Sequence, residues 1–303
     1  MSSSIRILEV GPRDGLQNER ITIPTDAKIR FINNLAQAGL EEIEVTSFVS
    51  PKWVPQLSDA AYLVPSLPKG PKYSVLVPNL KGLERAIEVN VSRIAIFTAA
   101  SEAFTQKNIN MTIAQSLDVF EQIVLAFRKE QPDGWVRGYV STAFECPYSG
   151  KVDHESVHNV VDRLLAMGVD EISIGDTTGV ASPTEVRHLT RHLLQTIPIT
   201  KLAYHFHDTH GTAIANTMSA LDLGIRAFDS SAAGLGGCPY APGAAGNLAT
   251  EDLVYLLERE GLSTGINLDS LSKASIEVLA ILGRHPVSKS QIAQFSASET
   301  SPK

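Results

Sequence analysis

The feature of this chain that most constrains its fold is an eightfold alternation between short apolar runs and helical patterns. The runs are rich in β-branched residues and cover residues 5–11, 42–47, 73–78, 93–98, 136–142, 171–176, 202–207 and 227–232. Helical patterns lie between them at residues 25–38, 80–89, 112–129, 153–167, 182–196 and 212–223. Because parallel strands need a long crossover, which a helix usually supplies, the alternation predicts a parallel sheet with helices outside.

Eight strand–helix repeats in one chain predict an α/β fold of the (β/α)8 TIM-barrel type. An open doubly wound sheet is the alternative, but the first strand–helix turn, Gly11-Pro12-Arg13-Asp14-Gly15, lacks the GxGxxG pattern of such folds. Two further helical patterns, at residues 251–260 and 268–282, predict the last barrel helix and an appended C-terminal helical region. We expect one catalytic domain, residues 1–295, followed by a polar tail, residues 296–303.

Composition excludes several classes of protein. Of 303 residues, 43% are hydrophobic and 19% are charged, which is typical of a globular protein and not of a disordered chain. The formal net charge is −7 without a dense Lys/Arg run, so neither nucleic acid nor an anionic membrane is expected as the main partner. No apolar run reaches the roughly 18–20 residues of a membrane span. Two cysteines and the absence of an apolar signal core predict a cytoplasmic location.

The seventh strand carries the clearest pattern of metal ligands. Strand alternation puts His205 and His207 on one face, and Tyr204 and Phe206 on the other. Asp14 follows the first strand, so it could join the two histidines in a mixed nitrogen–oxygen site for Mg²⁺, Mn²⁺, Fe²⁺, Co²⁺ or Zn²⁺. The alternative is a pair of histidines that only hydrogen-bond to the backbone.

Other polar residues also lie at strand ends, where TIM barrels place their active groups. Arg13 follows the first strand, Glu44 lies toward the end of the second, and Asp176 ends the sixth. A guanidinium beside a metal could bind an enolate or carboxylate oxygen. The simpler interpretation of Arg13 is an ion pair with Glu44 or Asp176.

A loop with five glycines, residues 233–247, follows the eighth strand and carries Cys238 at its middle. It is too apolar for a solvated linker, and such a loop could close over a substrate. A thiol delivered close to a metal and an arginine could act as an acid or base. A buried, inert cysteine is the alternative for Cys238, and it is the interpretation that we adopt for Cys146.

Several long stretches of the chain resemble the hydroxymethylglutaryl-CoA lyase family, part of a wider group of metal-dependent barrel lyases and Claisen-type synthases. They are VGPRDGLQNE (10–19), TSFVSPKWVPQ (46–56), KNIN (107–110), HFHDT (205–209), GLGGCPY (234–240) and GNLATED (246–252). These stretches run from the first strand past the eighth. The resemblance implies a TIM barrel that cleaves 3-hydroxy-3-methylglutaryl-CoA to acetyl-CoA and acetoacetate in a retro-Claisen step.

The resemblance also assigns roles to individual residues. It implies a divalent metal, Mg²⁺ or Mn²⁺, with the ligands Asp14, His205, His207 and Asn247. It places enolate stabilisation on Arg13 and proton transfer on Cys238, with Glu44 and Asp176 supporting the site and Asp176 as the proton-handling partner. Lys52, Lys107 and Asn108 are the expected contacts to the acyl-CoA substrate, together with Arg13. A homodimer is implied by analogy.

The chain departs from the family pattern near the rim of the predicted barrel. It reads VSTAFECPY at residues 140–148 and DTTG at 176–179, and His210 stands where the family has a tyrosine. These departures leave open a lyase for another 3-hydroxy-acyl-CoA, such as citramalyl-CoA. A Claisen-type alkylmalate synthase and a non-catalytic acyl-CoA or metal-binding protein are further alternatives.

Overall fold

A computed structural model describes residues 5–236 and 246–300, with side chains described through residue 294. Eight parallel strands form a closed barrel in sequence order, and β1 pairs with β8 to close it. The strands are β1 (Arg6–Glu9), β2 (Glu42–Ser47), β3 (Lys72–Leu76), β4 (Arg93–Ala99), β5 (Trp135–Ser141), β6 (Glu171–Asp176), β7 (Leu202–Phe206) and β8 (Ala227–Ser230). The predicted TIM barrel and all eight predicted strands are therefore confirmed.

Helices surround the barrel and extend beyond it. They are α1 (Thr25–Gln37), α2 (Ala60–Leu63), α3 (Leu80–Glu88), α4 (Glu102–Ile109), α5 (Ile113–Glu130), α6 (His154–Ala166), α7 (Pro183–Leu193), α8 (Ala213–Asp222), α9 (Thr250–Arg259), α10 (Leu268–Leu282) and α11 (Lys289–Thr300). The sequence patterns did not predict α2, α4, α11 or the short hairpin of Glu145–Cys146 with Gly150–Lys151. No helix of the described part of the chain is long and apolar enough to cross a membrane.

The appended C-terminal region consists of α10 and α11, which pack on the barrel helices. Asn34 of α1 donates to Glu277 of α10 at 3.0 Å. Asp252 of α9 accepts hydrogen bonds from the Ser288 hydroxyl at 2.8 Å and the Ser290 N–H at 2.7 Å, so it caps the start of α11. Helix α11 continues to Thr300, so it includes the first residues of the predicted polar tail, 296–303.

The two faces of each strand have different environments. Tyr204 and Phe206 of β7 face the helices: their rings stack at 5.1 Å, and the Tyr204 hydroxyl lies 2.6 Å from that of Thr190 on α7. The opposite face points into the barrel, where Arg137 of β5 is almost fully buried. Buried charge needs partners, and those of Arg137 are Glu171 of β6 and Asp229 of β8. The barrel interior is therefore polar, while the main apolar core lies between strands and helices.

Candidate active site and metal centre

A single turn of π-helix, Gly11–Gly15, positions Arg13 and Asp14 after β1. The carbonyl of Val10 accepts from the N–H groups of Arg13, Asp14 and Gly15 at 3.1, 2.7 and 3.2 Å. A Cβ on Gly15 would lie 2.8 Å from both Leu235 Cβ and Ser231 Oγ, so a side chain there would displace the loop after β8. The sequence placed these residues correctly at the end of the strand but did not predict the π-turn, which has no simple periodicity to reveal it.

Asp14, His205 and His207 come together at the rim, with ligand atoms that all lie within 4.8 Å of one another. His205 Nε2 lies 4.0 Å from Asp14 Oδ2. Asn247 joins them, because its amide nitrogen donates to Asp14 Oδ2 at 2.9 Å. The four predicted metal ligands thus form one cluster, drawn from β1, β7 and the segment after β8.

Backbone pairing brings Asn247 to the histidines. Asn247 forms an antiparallel bridge with His207, flanked by hydrogen bonds from Leu248 N to the Phe206 carbonyl (2.9 Å) and from Asp208 N to the Gly246 carbonyl (2.8 Å). The loop segment is therefore fastened to the end of β7 on both sides of Asn247. This non-local pairing has no signature in the sequence, whereas the residue itself was found through the family resemblance.

Two buried atoms of the cluster suit a metal ion. His207 Nδ1 and Asn247 Oδ1 have no hydrogen-bond partner among the described residues. A buried polar atom without a partner costs about 1–3 kcal/mol, and coordination to a cation would remove that cost. Burial and the neighbouring His205 lower the pKa of His207 to about 4, which keeps its imidazole neutral, as metal binding requires. The residues therefore fit a divalent metal.

A buried carboxylate orients His205. Asp229 Oδ2 lies 3.2 Å from His205 Nδ1 and also accepts the Ser173 hydroxyl at 2.8 Å. Arg137 Nη2 lies 2.7 Å from the other oxygen of Asp229. Burial lowers the pKa of His205, but the contact with Asp229 outweighs it, so the net shift is upward. This arrangement leaves His205 Nε2 directed toward Asp14, as in the carboxylate–histidine–metal units of known metal sites.

Arg13 lies between two carboxylates. Its Nη1 contacts Asp14 Oδ1 at 2.5 Å, and its Nε donates to Glu44. Glu44, fully buried in β2, also accepts the Tyr139 hydroxyl at 3.0 Å. Burial opposes the charge on Asp14, but Arg13 and the two histidines outweigh it and lower the pKa of Asp14 below its usual range. The ion pair of Arg13 with Glu44, which is the simpler interpretation of Arg13, is therefore present, and it holds the guanidinium beside the predicted metal ligands.

Asp176 ends β6 and is almost fully buried. Its carboxylate accepts the backbone N–H groups of Val180 at 3.2 Å and Ala181 at 3.1 Å. Burial raises its pKa to about 6, despite these hydrogen bonds. A carboxyl group with a pKa in this range can exchange a proton near neutral pH.

The predicted substrate contacts do not lie among these buried groups. Lys52 lies in the exposed segment after β2, and Lys107 and Asn108 are exposed on α4. Cys238 lies outside the described residues. The described base of its loop meets the cluster: the Leu235 carbonyl accepts from Asn247 Nδ2 at 3.0 Å. Cys146, by contrast, is buried in the apolar core.

Sequence reasoning missed three groups that support the cluster: Asp229, Arg137 and Tyr139. Each occupies a position within a buried strand, and Asp229 pairs in register with His205. A charged residue in the middle of an otherwise apolar strand is costly unless it is paired, and this signal could have found Asp229 and Arg137.

The fold and the cluster together define a class of protein: a (β/α)8 barrel with an imidazole–carboxylate–amide centre at the ends of its strands. The family model for HMGL-like proteins matches residues 4–278, and the chain belongs to the HMGL-like family. The chain is 50% identical over 287 residues to the mitochondrial hydroxymethylglutaryl-CoA lyase of Bos taurus, which covers 94% of this chain and 88% of the relative.

Solved structures agree with this assignment. The hydroxymethylglutaryl-CoA lyase of Pseudomonas aeruginosa is 46% identical, with a TM-score of 0.94 over 97% of this chain and 98% of that one. The HMG-CoA lyase of Acinetobacter baumannii, in complex with coenzyme A and 3-methylmalate, is 39% identical, with a TM-score of 0.92 over 100% and 99%. The resemblance stated from the sequence motifs is therefore confirmed.

Proposed function

We propose that this protein is a divalent-metal-dependent carbon–carbon lyase that cleaves 3-hydroxy-3-methylglutaryl-CoA to acetyl-CoA and acetoacetate. The observation that carries the proposal is the convergence of Asp14, His205, His207 and Asn247 beside Arg13 in a member of this family. These four ligands would hold Mg²⁺ or Mn²⁺. When bound, such a metal supplies a Lewis acid that polarises substrate oxygen atoms.

The chain's own residues account for the movement of protons. A base removes the proton of the C3 hydroxyl, the C3 carbonyl forms, and the C2–C3 bond breaks. Its electron pair goes to C2 as the enolate of acetyl-CoA, which then accepts a proton at C2. Asp176, with its pKa raised to about 6 by burial, suits the first transfer. Cys238 is assigned the second through the family resemblance.

Arg13 is proposed to stabilise the enolate oxygen. Glu44 and Asp14 fix its guanidinium from two sides, so little reorganisation is needed when negative charge develops nearby. Arg13 contacts Asp14 directly, and the charge that it stabilises would therefore form next to the metal ligands. This placement is what a retro-Claisen step requires.

Acyl-CoA recognition is proposed for the exposed side chains Lys52, Lys107 and Asn108, together with Arg13. The coenzyme A in the Acinetobacter relative supports a coenzyme A thioester as the substrate class. A homodimer and a cytoplasmic location also remain proposals; the bovine relative is named mitochondrial. Leucine degradation and ketone body metabolism are the pathways in which such an activity would act.

A second substrate has one specific observation in its favour. The Acinetobacter relative binds 3-methylmalate, a branched hydroxy-diacid, beside coenzyme A. Together with the departures at residues 140–148 and 176–179, this favours testing methyl-substituted malyl thioesters, including citramalyl-CoA, beside the main substrate. An alkylmalate-type synthase activity would instead consume acetyl-CoA and a 2-oxo acid.

The test is direct cleavage. Protein stripped with a chelator and reloaded with Mg²⁺ or Mn²⁺ should release acetoacetate and acetyl-CoA in equal amounts from 3-hydroxy-3-methylglutaryl-CoA. Cys238→Ser should lower turnover about a hundredfold or more with unchanged metal content, since it removes a proton-transfer group. Cys146→Ala is the matched control, because both cysteines precede Pro-Tyr and Cys146 is buried in the core. No acetoacetate with either metal would rule out the proposed activity.

A further inference from the structure

A second cluster of metal-ligating side chains lies outside the barrel, between α6 and α7. Ligand atoms of Glu155, His158 and His192 all lie within 4.8 Å of one another. Glu155 and His158 lie on α6, and His192 lies near the end of α7. None of them belongs to the proposed active site, and two helices contribute to the cluster.

One distance in this cluster is close to the separation of two ligands bound to a transition metal. His192 Nε2 lies 3.4 Å from Glu155 Oε2. Ligands about 2.1 Å from a tetrahedral Zn²⁺ lie roughly 3.4 Å from each other. His192 Nε2 is also inaccessible to solvent and has no hydrogen-bond partner among the described residues, so its contact with Glu155 is not a hydrogen bond.

The neighbouring groups hold the imidazoles in place. His158 Nε2 lies 2.6 Å from Thr196 Oγ1, just after α7. The ring of His192 packs edge-on against that of His158 at 5.2 Å and lies 6.0 Å from that of His154. Two imidazoles and a carboxylate are ligands that Zn²⁺, Ni²⁺ and Cu²⁺ share.

We propose that Glu155, His158 and His192 form a second metal site, for a transition-metal ion of the Zn²⁺ class, which links α6 to α7. The stretch His154-Glu155-Ser156-Val157-His158 has the His-Glu-x-x-His spacing of zinc peptidases. In those enzymes both histidines bind zinc and the glutamate acts as the base, whereas here Glu155 itself belongs to the converging ligands and His154 does not. The site is therefore a structural link and not a hydrolytic centre.

The experiment counts bound Zn²⁺ on metal-free protein by competition with a chromophoric chelator. The parent should bind two equivalents, His192→Ala one, His207→Ala one, and the double variant none. His188→Ala is the matched control: it lies one turn before His192 on α7, is exposed and is not a member of the cluster, so it should bind two. Because each site is removed separately, loss of the barrel site would not be mistaken for loss of this one.

Two further measurements make the result decisive. Zn²⁺ should raise the midpoint of thermal unfolding of His207→Ala but not of the double variant. If His192→Ala does not fold, Glu155→Gln and His158→Gln replace it, and each should weaken the second equivalent at least tenfold. The proposal is overturned if His192→Ala binds as many equivalents as the parent, or if the second equivalent binds only at millimolar Zn²⁺.

Discussion

The two ends of the barrel are both rich in charge, yet they are organised differently. At the end where the strands begin, every carboxylate that we describe has cationic partners. Glu42 contacts Arg6, Arg93 and Lys72 at 2.9, 3.0 and 3.4 Å. Glu171 contacts Arg6 at 2.5 Å and Arg137 at 3.3 Å. The carboxylates at this end are thus all paired, although Arg93 Nε and two nitrogens of Arg137 have no hydrogen-bond partner among the described residues.

At the end where the strands finish, charge is present but pairing is incomplete. Asp14 contacts Arg13 with one oxygen, while its other oxygen accepts from Asn247 at 2.9 Å and faces His205 across 4.0 Å. His207 Nδ1 and Asn247 Oδ1 have no partner among the described residues. Buried polar groups are almost always satisfied, so leaving two neighbouring ones unmatched costs stability. Charge alone therefore does not identify the functional end of this barrel; unmatched imidazole and amide atoms beside a carboxylate do.

Replacing His207 should have the largest effect on turnover, because it removes a predicted metal ligand. We expect His207→Ala to lose bound Mg²⁺ or Mn²⁺ and to lower turnover about a thousandfold, because a bound metal contributes several kcal/mol to the transition state. The metal-free variant should be as stable as the metal-free parent, since the imidazole removed carries an unmatched nitrogen. Elemental analysis, an acetoacetate assay and urea unfolding measure these effects.

His188→Ala is the control for that change, because His188 is exposed on α7 and is not a member of the cluster. It should keep both metal and turnover. If His207→Ala retained metal and full turnover, the rim would not be the metal site.

Replacing Glu42, at the end where the strands begin, should lower stability and leave turnover nearly unchanged. Glu42→Ala leaves Arg6, Arg93 and Lys72 without their shared carboxylate, so we expect a loss of about 3 kcal/mol in the free energy of unfolding. Turnover by the folded fraction should be nearly unchanged. Chemical denaturation and a steady-state assay at low temperature test this pair of effects. A large loss of turnover in the folded protein would show that the ion pairs at this end also determine activity.

These two ends were also unequally predictable from the sequence. Arg13, Asp14, His205 and His207 follow directly from strand periodicity and from the rule that barrel active groups lie at strand ends. Glu42 and Glu171 begin strands, and nothing in their local pattern distinguishes a buried ion pair from an exposed charge. The network exists only because closure of the barrel brings β1, β2, β4 and β6 together, which is a non-local fact.

The same limit applies within the rim. The π-turn at Gly11–Gly15 and the bridge from His207 to Asn247 depend on backbone geometry that propensities do not encode. The helix α4, which carries Lys107 and Asn108, has little amphipathic character to reveal it. It is held by local bonds instead: Ser101 caps its first turn and accepts the Phe104 N–H at 3.3 Å. The sequence thus predicted which residues converge better than it predicted the local structures that present them.

Glu251 on α9 is a buried acid that belongs to neither of these two groups. Glu251 accepts the Ala233 N–H and the Ser275 hydroxyl, and burial raises its pKa to about 7 from 4.5. The folded protein therefore binds this proton more tightly than the unfolded chain. The resulting stability is fully present below pH 4.5 and is lost as the pH rises through about 7. The free energy of unfolding of the parent should therefore fall by about 2 kcal/mol between pH 5 and 7 because of this group. Glu251→Gln should not show that part of the fall.

Urea unfolding at several pH values measures this slope. Glu260→Gln, an exposed change at the end of α9, should leave it as in the parent. An unchanged slope in Glu251→Gln would show that this carboxyl group is not the source.

The smallest expected effect concerns Tyr139, which is connected to Arg13 through Glu44. Burial and the charge of Glu44 raise the pKa of Tyr139 well above its usual value, so its hydroxyl remains a donor to Glu44. Tyr139→Phe removes that donor, and we expect turnover to fall about tenfold, in line with about 1.5 kcal/mol for a hydrogen bond to a charged group. Tyr204→Phe is the matched control: its hydroxyl lies 2.6 Å from Thr190 on the helical side of the barrel, so turnover should not change. If both variants lowered turnover equally, the loss would come from altered packing in the barrel. The orientation of Arg13 by Glu44 would then not depend on the hydroxyl of Tyr139.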